Sequence, residues 1–495
     1  MTQRIVIIGA GMAGLMSALA LHGDGREILL LDRDPPPPEG GPDVVFSDWE
    51  RRGVGHFRHS HAFLARLVNL IRDREPALLD AMLAAGAREA PFSEMLPEPL
   101  RAAYRPKPGD DRLSILFSRR TTLEWVLRGY IQGLAGVALQ TGAFVSGLAF
   151  AGADGGALTA SGVIGEAGGA PALWTAYLVV DASGRTSQVP DWLADAGAAL
   201  PETTEDAGIL YYSRHYRLRP GQGEPPRSAG SGTGDLGYPK YGVFNGDGDW
   251  FSVTLAAPEI ETDLRRALVD PAVFDDICAR LPGVAAWTDP ARAEPRSKVF
   301  GMGDLRSRWR SFVDDAGRPA ALNLFMVGDG LIRTNPLYGR GCTFAAVEAF
   351  ALADVLGAVD PPAERARAYA AAVETQLRPF YADMLKQDRA AIRRARRTLY
   401  PEPRRSLQSR LTKSLVEDGV GPALRRDADA LRAALSAFHM LSPPGAWLGK
   451  PRHLASVLRT WATPRRLKAD LYPKTLGPGR AEMMQALGLP ASPAV

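Results

Sequence analysis

Unbroken apolar runs and one alternating tract organise this chain. Residues 4–8, Arg-Ile-Val-Ile-Ile, predict a strand that runs directly into the turn Gly9-Ala-Gly-Met-Ala-Gly14, and a second strand over 27–31 ends at Asp32. Two further apolar runs have the same form: one, from Tyr177, ends at Asp181 before Ser183 and Gly184, and one, from Phe325, ends at Gly328-Asp329 before a loop and a helix. Runs without alternation suit strands covered on both faces. Residues 186 to about 300 instead alternate short apolar runs with turns, clearest over 211–218 and 241–255, and predict sheet. A loop rich in Gly, Pro and Ser, 219–237, separates those two runs. Helices are predicted over 62–71, from Arg120 onward where Leu123, Val126, Leu127 and Tyr130 recur at helical spacing, and through most of the chain after about 349, with breaks near Pro401 and Pro443. No internal repeat is present.

The first turn carries chemistry. Gly9 permits a tight strand-to-helix turn, Gly11 lets the backbone approach a pyrophosphate, and Gly14 lets the helix pack close to the strand. The helix N-terminus offers unpaired N–H groups to phosphates, and Asp32 can accept from a ribose hydroxyl with Arg33 beside the adenosine. The motif predicts a dinucleotide site and leaves NAD and FAD both open.

Together with the strand ends at Asp181 and at Gly328-Asp329, this turn resembles the three FAD-contacting segments of the flavoprotein monooxygenases of class A type. Within that family the strings NPLYGRGCTFA (335–345), GHFRHSHAFLARL (55–67) and SRRTTLEWVLR (118–128) are most similar to squalene epoxidase and the bacterial polyether epoxidases. The resemblance spans about residues 4–350. It implies that Asp329 contacts the ribityl chain, that the loop with Pro336, Gly339 and Gly341 meets the pyrimidine end of the flavin, and that Arg120 reaches the phosphates or ribityl chain, with Arg119 as its rival. Gly328 and Asp181 join the implied FAD set. Arg340 departs from the usual glutamine and Gly330 from the usual alanine or serine.

Three of the seven histidines crowd into residues 56–61. Neutral imidazoles donate and accept, so His59 or His61 is a candidate catalytic group at the flavin or the oxygen-bearing face. The competing reading makes them caps of the following helix or polar core residues. No metal is expected, because the HxH pair lacks further ligands at hand. Tyr211, Tyr212, Phe244 and Trp250 are candidates for an apolar wall over the flavin.

With 46% hydrophobic and 23% charged residues the chain reads as an ordinary globular protein. Two cysteines, Cys278 and Cys342, give no disulfide framework, and together with the lack of a charged leader before the first strand this predicts a cytoplasmic location. No uninterrupted apolar stretch approaches the roughly 20 residues of a membrane span. The net charge of +4 is uneven: residues 361–495 hold 24 Lys and Arg against 11 Asp and Glu, leaving 35 against 44 for residues 1–360. The basic end predicts solvated helix faces or a peripheral contact with an anionic membrane surface. No nucleic-acid motif accompanies it.

The expected architecture is α/β: a Rossmann-like FAD-binding domain in two pieces (1–185 and 295–360), an inserted, mainly β, substrate-covering domain (186–294), and a helical basic C-terminal region (361–495). The resemblance implies a monooxygenase that hydroxylates or epoxidises a lipophilic small molecule with molecular oxygen, through a flavin C4a-hydroperoxide. NADPH, NADH or a partner flavin reductase would supply electrons. Two alternatives remain open: an FAD-dependent reductase of polyprenyl-type double bonds, and a flavin-holding binding protein without turnover. A flavin halogenase is disfavoured by the lack of a WxWxIP segment.

Overall fold

The computed structural model describes residues 3–23, 25–151, 158–226, 230–400, 406–472 and 476–490. The expected break near Pro401 lies outside these residues.

Eight strands frame the site: β1 (Gln3–Ile8), β2 (Arg26–Asp32), β3 (Val137–Thr141), β4 (Leu178–Asp181), β5 (Ile209–Leu218), β6 (Lys240–Asn245), β7 (Trp250–Pro258) and β8 (Leu324–Met326). Seven helices matter here: α1 (Met12–Leu21), α2 (Ala65–Arg74), α3 (Arg120–Gln132), α4 (Gly341–Ala358), α5 (Pro362–Leu399), α6 (Ala428–Phe438) and α7 (Pro451–Ala462). The central sheet is parallel, in the order β8-β4-β1-β2-β3. Ile5 to Ile8, Leu178 to Val180 and Leu324 to Met326 are all buried, as strands covered on both faces require. Parallel strands ending together bring the turns after β1, β4 and β8 to one edge of the sheet, where ligands of open α/β folds bind. Because the three apolar runs share that register, their C-terminal loops meet although they are some 150 residues apart in sequence.

Helix α4 is long and apolar enough by composition to cross a membrane. Glu348 and Asp354 interrupt its apolar run, and two-thirds of the helix is buried within the protein, packed against α1, α2 and α5. Its Ala-rich surface suits close helix packing in a core.

In the inserted sheet, β5, β6 and β7 are antiparallel, with Tyr212 and Tyr241 both opposite Leu255. The alternation of strand side chains divides the sheet cleanly. Tyr212, Tyr216, Phe251, Val253 and Leu255 face a core shared with Leu264, Phe274, Ile277, Leu281 and Val284. Leu264, Phe274, Ile277 and Val284 lie on helices between 262 and 288, with Leu281 at the junction of two of them, in a tract read as sheet from sequence. The helix starts were signalled by Asp270-Pro271, where Asp270 caps by accepting from Ala272 N at 2.7 Å, and by Pro282. The run at 241–255 is two strands, β6 and β7, rather than one.

The basic C-terminal region folds back onto the acidic remainder. Arg389 Nε meets Glu205 at 2.8 Å, Arg394 meets Asp235 at 2.6 Å, Arg432 meets Asp110 at 2.7 Å and Arg480 meets Glu261 at 2.8 Å. Part of the charge imbalance is thus neutralised within the chain. A break does fall around Pro443, after α6.

Candidate active site

One cavity of about 1040 Å³ runs from the β1 turn, beneath the inserted sheet, to the N-terminus of α4. At its first end lie Gly9, Gly11, Asp32, Arg33 and Arg51. Gly9 has φ +94°, and a Cβ there would stand 2.7 Å from Ala182 O. Gly14 lies outside the lining, where a Cβ would stand 1.8 Å from Gly9 O, so its lack of a side chain serves packing. Gly11 is the N-cap of α1 and faces open space: a methyl added there would find no atom nearer than Val54 Cγ2 at 3.9 Å.

Asp32 is buried and held in place: it accepts from Asp34 N at 3.2 Å and from Arg128 Nη1 at 3.0 Å. Arg51 bridges the neighbouring acids, reaching Asp34 at 3.2 Å and the backbone carbonyl of Ala10 at 3.0 Å. Sequence reasoning missed Arg128 and Arg51, because nothing local marks partners 96 and 19 residues from Asp32. Arg33 is exposed at the cavity rim.

Asp181 does not line the cavity. Its carboxylate accepts from Ser183 N at 3.0 Å and from the Ser183 and Ser187 hydroxyls at 2.5 Å each, so it shapes the turn that presents Ser183, Gly184 and Arg185. The expected direct cofactor contact is corrected to this indirect one. Gly330, the departure from alanine or serine, sits where a Cβ would be 3.2 Å from Asp181 Oδ2.

Asp329 lines the cavity, and no protein group hydrogen-bonds its carboxylate among the described residues. Burial raises its pKa, against the opposing pull of Arg333 and Arg120. Gly328 beside it has φ +73°, a Cβ there would be 2.6 Å from Ala13 Cβ, and its N–H donates to buried Glu348. Pro336, Leu337, Gly339 and Gly341 follow along the wall, Gly339 in the left-handed region at φ +64°. The loop is pinned from both sides: Asn335 accepts from Tyr211 Oη at 2.8 Å and donates to Asp388 of α5 at 2.8 Å. Arg340 turns away from the cavity, donating to Phe380 O at 2.6 Å. The departure from glutamine therefore anchors α5.

Arg120 is buried at the start of α3 and lines the cavity, with Nε 2.7 Å from Glu124 and Nη1 2.9 Å from Cys342 Sγ. Arg119, its rival, is ion-paired with Asp247 at 2.6 Å and lies 4.2 Å over the Trp250 ring, locking the inserted sheet to α3. Trp250 and Tyr212 lie outside the cavity lining, whereas Tyr211 and Phe244 are part of it.

His56, His59 and His61 all line the cavity. Neither His59 nor His61 caps the next helix, which begins at Ala65 rather than at 62 because Ala62–Phe63 is strand. The first turn of α2 is capped from the far end of the chain: Ala65 N donates to His439 Nδ1 at 3.2 Å. Burial holds His59 near pKa 4, and burial together with Arg120 holds His61 near 3.

This residue set fits FAD. Two helix N-termini, α1 at Gly11 and α4 at Gly341, open on one cavity. Arg185 lines it with no ion-pair or hydrogen-bond partner for its side chain among the described residues, and Asp329 is a free acceptor. Cationic and N–H donors suit phosphates, and a free carboxylate suits ribityl hydroxyls.

No protein-family model matches the chain, and no curated protein matches it. Solved structures do. The flavin-dependent halogenase CmlS is 16% identical, with 93% of this chain and 77% of that one covered at a TM-score of 0.60. OxyS anhydrotetracycline hydroxylase from Streptomyces rimosus is 20% identical over 89% of this chain and 76% of its own, TM-score 0.56. PqsL, a probable FAD-dependent monooxygenase from Pseudomonas aeruginosa, is 16% identical over 80% and 98%, TM-score 0.53. At these identities the likeness is one of architecture: the chain has the α/β fold of FAD-dependent monooxygenases and flavin-dependent halogenases.

Proposed function

We propose that the protein is an FAD-dependent monooxygenase that hydroxylates or epoxidises a lipophilic small molecule. The observation that carries this reading is a single continuous cavity that joins a dinucleotide-type turn to the Asp329 and Pro336 loop and is roofed by an inserted sheet. When bound, FAD supplies the activation of molecular oxygen. The chain's own residues bind, orient and keep the site dry. Gly11 and the α1 N-terminus would hold the pyrophosphate, Arg33 and Asp32 the adenosine side, and Asp329 the ribityl chain. The α4 N-terminus, with Gly339 and Gly341, would face the pyrimidine end, where negative charge on a reduced flavin is stabilised. Tyr211, Phe244 and the rest of the roof would exclude water, which oxygen transfer requires. His59 and His61 are the candidate groups at the reacting side.

The loop string 335–345 keeps squalene epoxidase and the polyether epoxidases as the family branch we favour. Electrons would come from NADPH, NADH or a separate flavin reductase. The basic C-terminal region supplies a candidate peripheral membrane contact: α7 buries His453 and Thr460 while exposing Leu454 and Leu458 between Arg452 and Arg459.

The test is to reduce the purified protein's flavin without oxygen, mix it rapidly with oxygenated buffer and follow absorbance. A transient species preceding the oxidised spectrum, with or without a lipophilic substrate, is expected. Direct return to oxidised flavin under every condition would favour the double-bond reductase or the passive binder, and protein without flavin would defeat the assignment.

A further inference from the structure

The protein holds two of the three cavity histidines, His59 and His61, in one tautomer. His61 Nδ1 lies 2.8 Å from the carbonyl oxygen of His59, and a carbonyl only accepts, so Nδ1 carries the hydrogen. His59 Nδ1 lies 3.0 Å from Ser213 Oγ, at the head of a chain of hydroxyls. Ser213 meets Thr254 at 2.7 Å, Thr254 donates to Ser60 at 2.7 Å, and Ser60 donates to Ser252 at 2.7 Å. Each hydroxyl has one hydrogen to give. That of Thr254 goes to Ser60, so Ser213 donates to Thr254, and His59 Nδ1 must therefore donate to Ser213. Strand alternation on β5 and β7 places Ser213, Ser252 and Thr254 on the inner face of the sheet.

Both rings are thus left with a bare Nε2. Neither Nε2 has a protein partner among the described residues, and neither is sealed from the cavity that both side chains line. Burial keeps the two imidazoles neutral, so each lone pair stays available at ordinary pH. A pure hydrocarbon filling this wall would leave two acceptors desolvated and unpaired, which costs more than the contacts around them return. A ligand with a hydrogen to donate would satisfy them.

We propose that His59 and His61 form an acceptor site that selects substrates carrying an O–H or N–H group on an apolar body. This rests on the monooxygenase reading of the cavity and narrows its substrate class from lipophilic molecules in general to hydrogen-bond donors. Recognition of this kind discriminates strongly, because the analogue lacking the donor leaves buried acceptors empty.

The experiment is calorimetric titration of the holoenzyme with two matched pairs: 1-naphthol against 1-methoxynaphthalene, and estrone against its 3-methyl ether. The hydroxyl member of at least one pair is expected to bind about tenfold or more tighter than its ether. In the double variant His59→Asn, His61→Asn each amide can still donate at the Nδ1 position while the distal acceptor is gone. The preference should fall to within about twofold, with ether binding unchanged. The double variant His59→Gln, His61→Gln restores a distal acceptor and should recover part of the preference, which separates recognition from misfolding. Equal binding within both pairs, no binding by any of the four compounds, or a preference that survives in the asparagine variant overturns the proposal. Flavin content is read by absorbance in the same samples. Absent flavin in the wild type defeats the monooxygenase reading, whereas bound flavin without a hydroxyl preference defeats only this inference.

Discussion

The two glycines at the start of α1 should fail in opposite ways when a methyl is added. In Gly14→Ala the new Cβ would sit 1.8 Å from the carbonyl oxygen of Gly9, about 1 Å inside the closest approach that such atoms make. The oxygen cannot yield, because Gly9 itself is fixed at φ +94° against Ala182. Helix α1 must move outward from the turn and disturb its contacts with the sheet and α4. Forced overpacking of this kind costs about 3 kcal/mol, at the upper end of the usual range, and, with an unfolding entropy of about 1 kcal/mol/K for a chain of this length, lowers the melting temperature of the apoprotein by roughly 3 °C. In Gly11→Ala the backbone, at φ −81°, is open to any residue, and the nearest atom to the methyl is 3.9 Å away. Apoprotein stability should stay within about 0.5 kcal/mol of wild type. The methyl projects into the cavity where the turn would meet a pyrophosphate, so FAD affinity should fall at least tenfold, about 1.4 kcal/mol. Thermal unfolding of the apoproteins and fluorescence titration with FAD separate the two effects. Equal destabilisation by both variants, or wild-type FAD affinity in Gly11→Ala, would refute the assignment of Gly14 to packing and Gly11 to the ligand.

Two further outcomes follow from groups far from that turn. His439→Ala removes the cap on Ala65 N and leaves a hole at a fully buried position, so it should cost about 2–4 kcal/mol and speed hydrogen exchange at the amides of Ala65 and Arg66; unchanged exchange there would sink the idea that the C-terminal region clamps α2. Stability should also fall on acidification. His59 and His439 are held near pKa 4, and His61 and His215 near 3, all chiefly by burial, against an unfolded value near 6.5. A depressed folded pKa contributes stability that is complete above about pH 6.5 and lost as pH falls toward 4 and then 3. Asp388, raised by burial to about 6, has the opposite sign and offsets part of the loss below that pH. The melting temperature of the apoprotein should therefore drop between pH 7 and 5, and a flat or rising profile would contradict neutral burial of the four imidazoles.

Local pattern was enough for the framework. The unbroken runs before Gly9, Asp181 and Gly328 read as strands because a strand covered on both faces has no polar positions, and the glycines at 9, 14, 328 and 339 mark backbone conformations or approaches that a side chain would forbid. The meeting of those loops also follows from sequence, since parallel strands of one sheet end at one edge. Side-chain pairings were a different matter. Asp32 looked like a free acceptor and proves to be held by Arg128, Asp181 shapes its turn instead of lining the cavity, and Arg340 anchors α5. Residues 262–288 read as sheet although Asp270-Pro271 and Pro282 start helices there.

Sequence by itself determined which backbone segments could be strands, tight turns and buried helices, because those depend on neighbours within a few residues. Only the tertiary structure decided which charges are consumed, which aromatic faces the cavity, and which nitrogen of each histidine is bare. Those depend on partners such as Ser213 for His59, Asp388 for Asn335 and His439 for Ala65, which lie 154, 53 and 374 residues apart and are brought together only when the layers close.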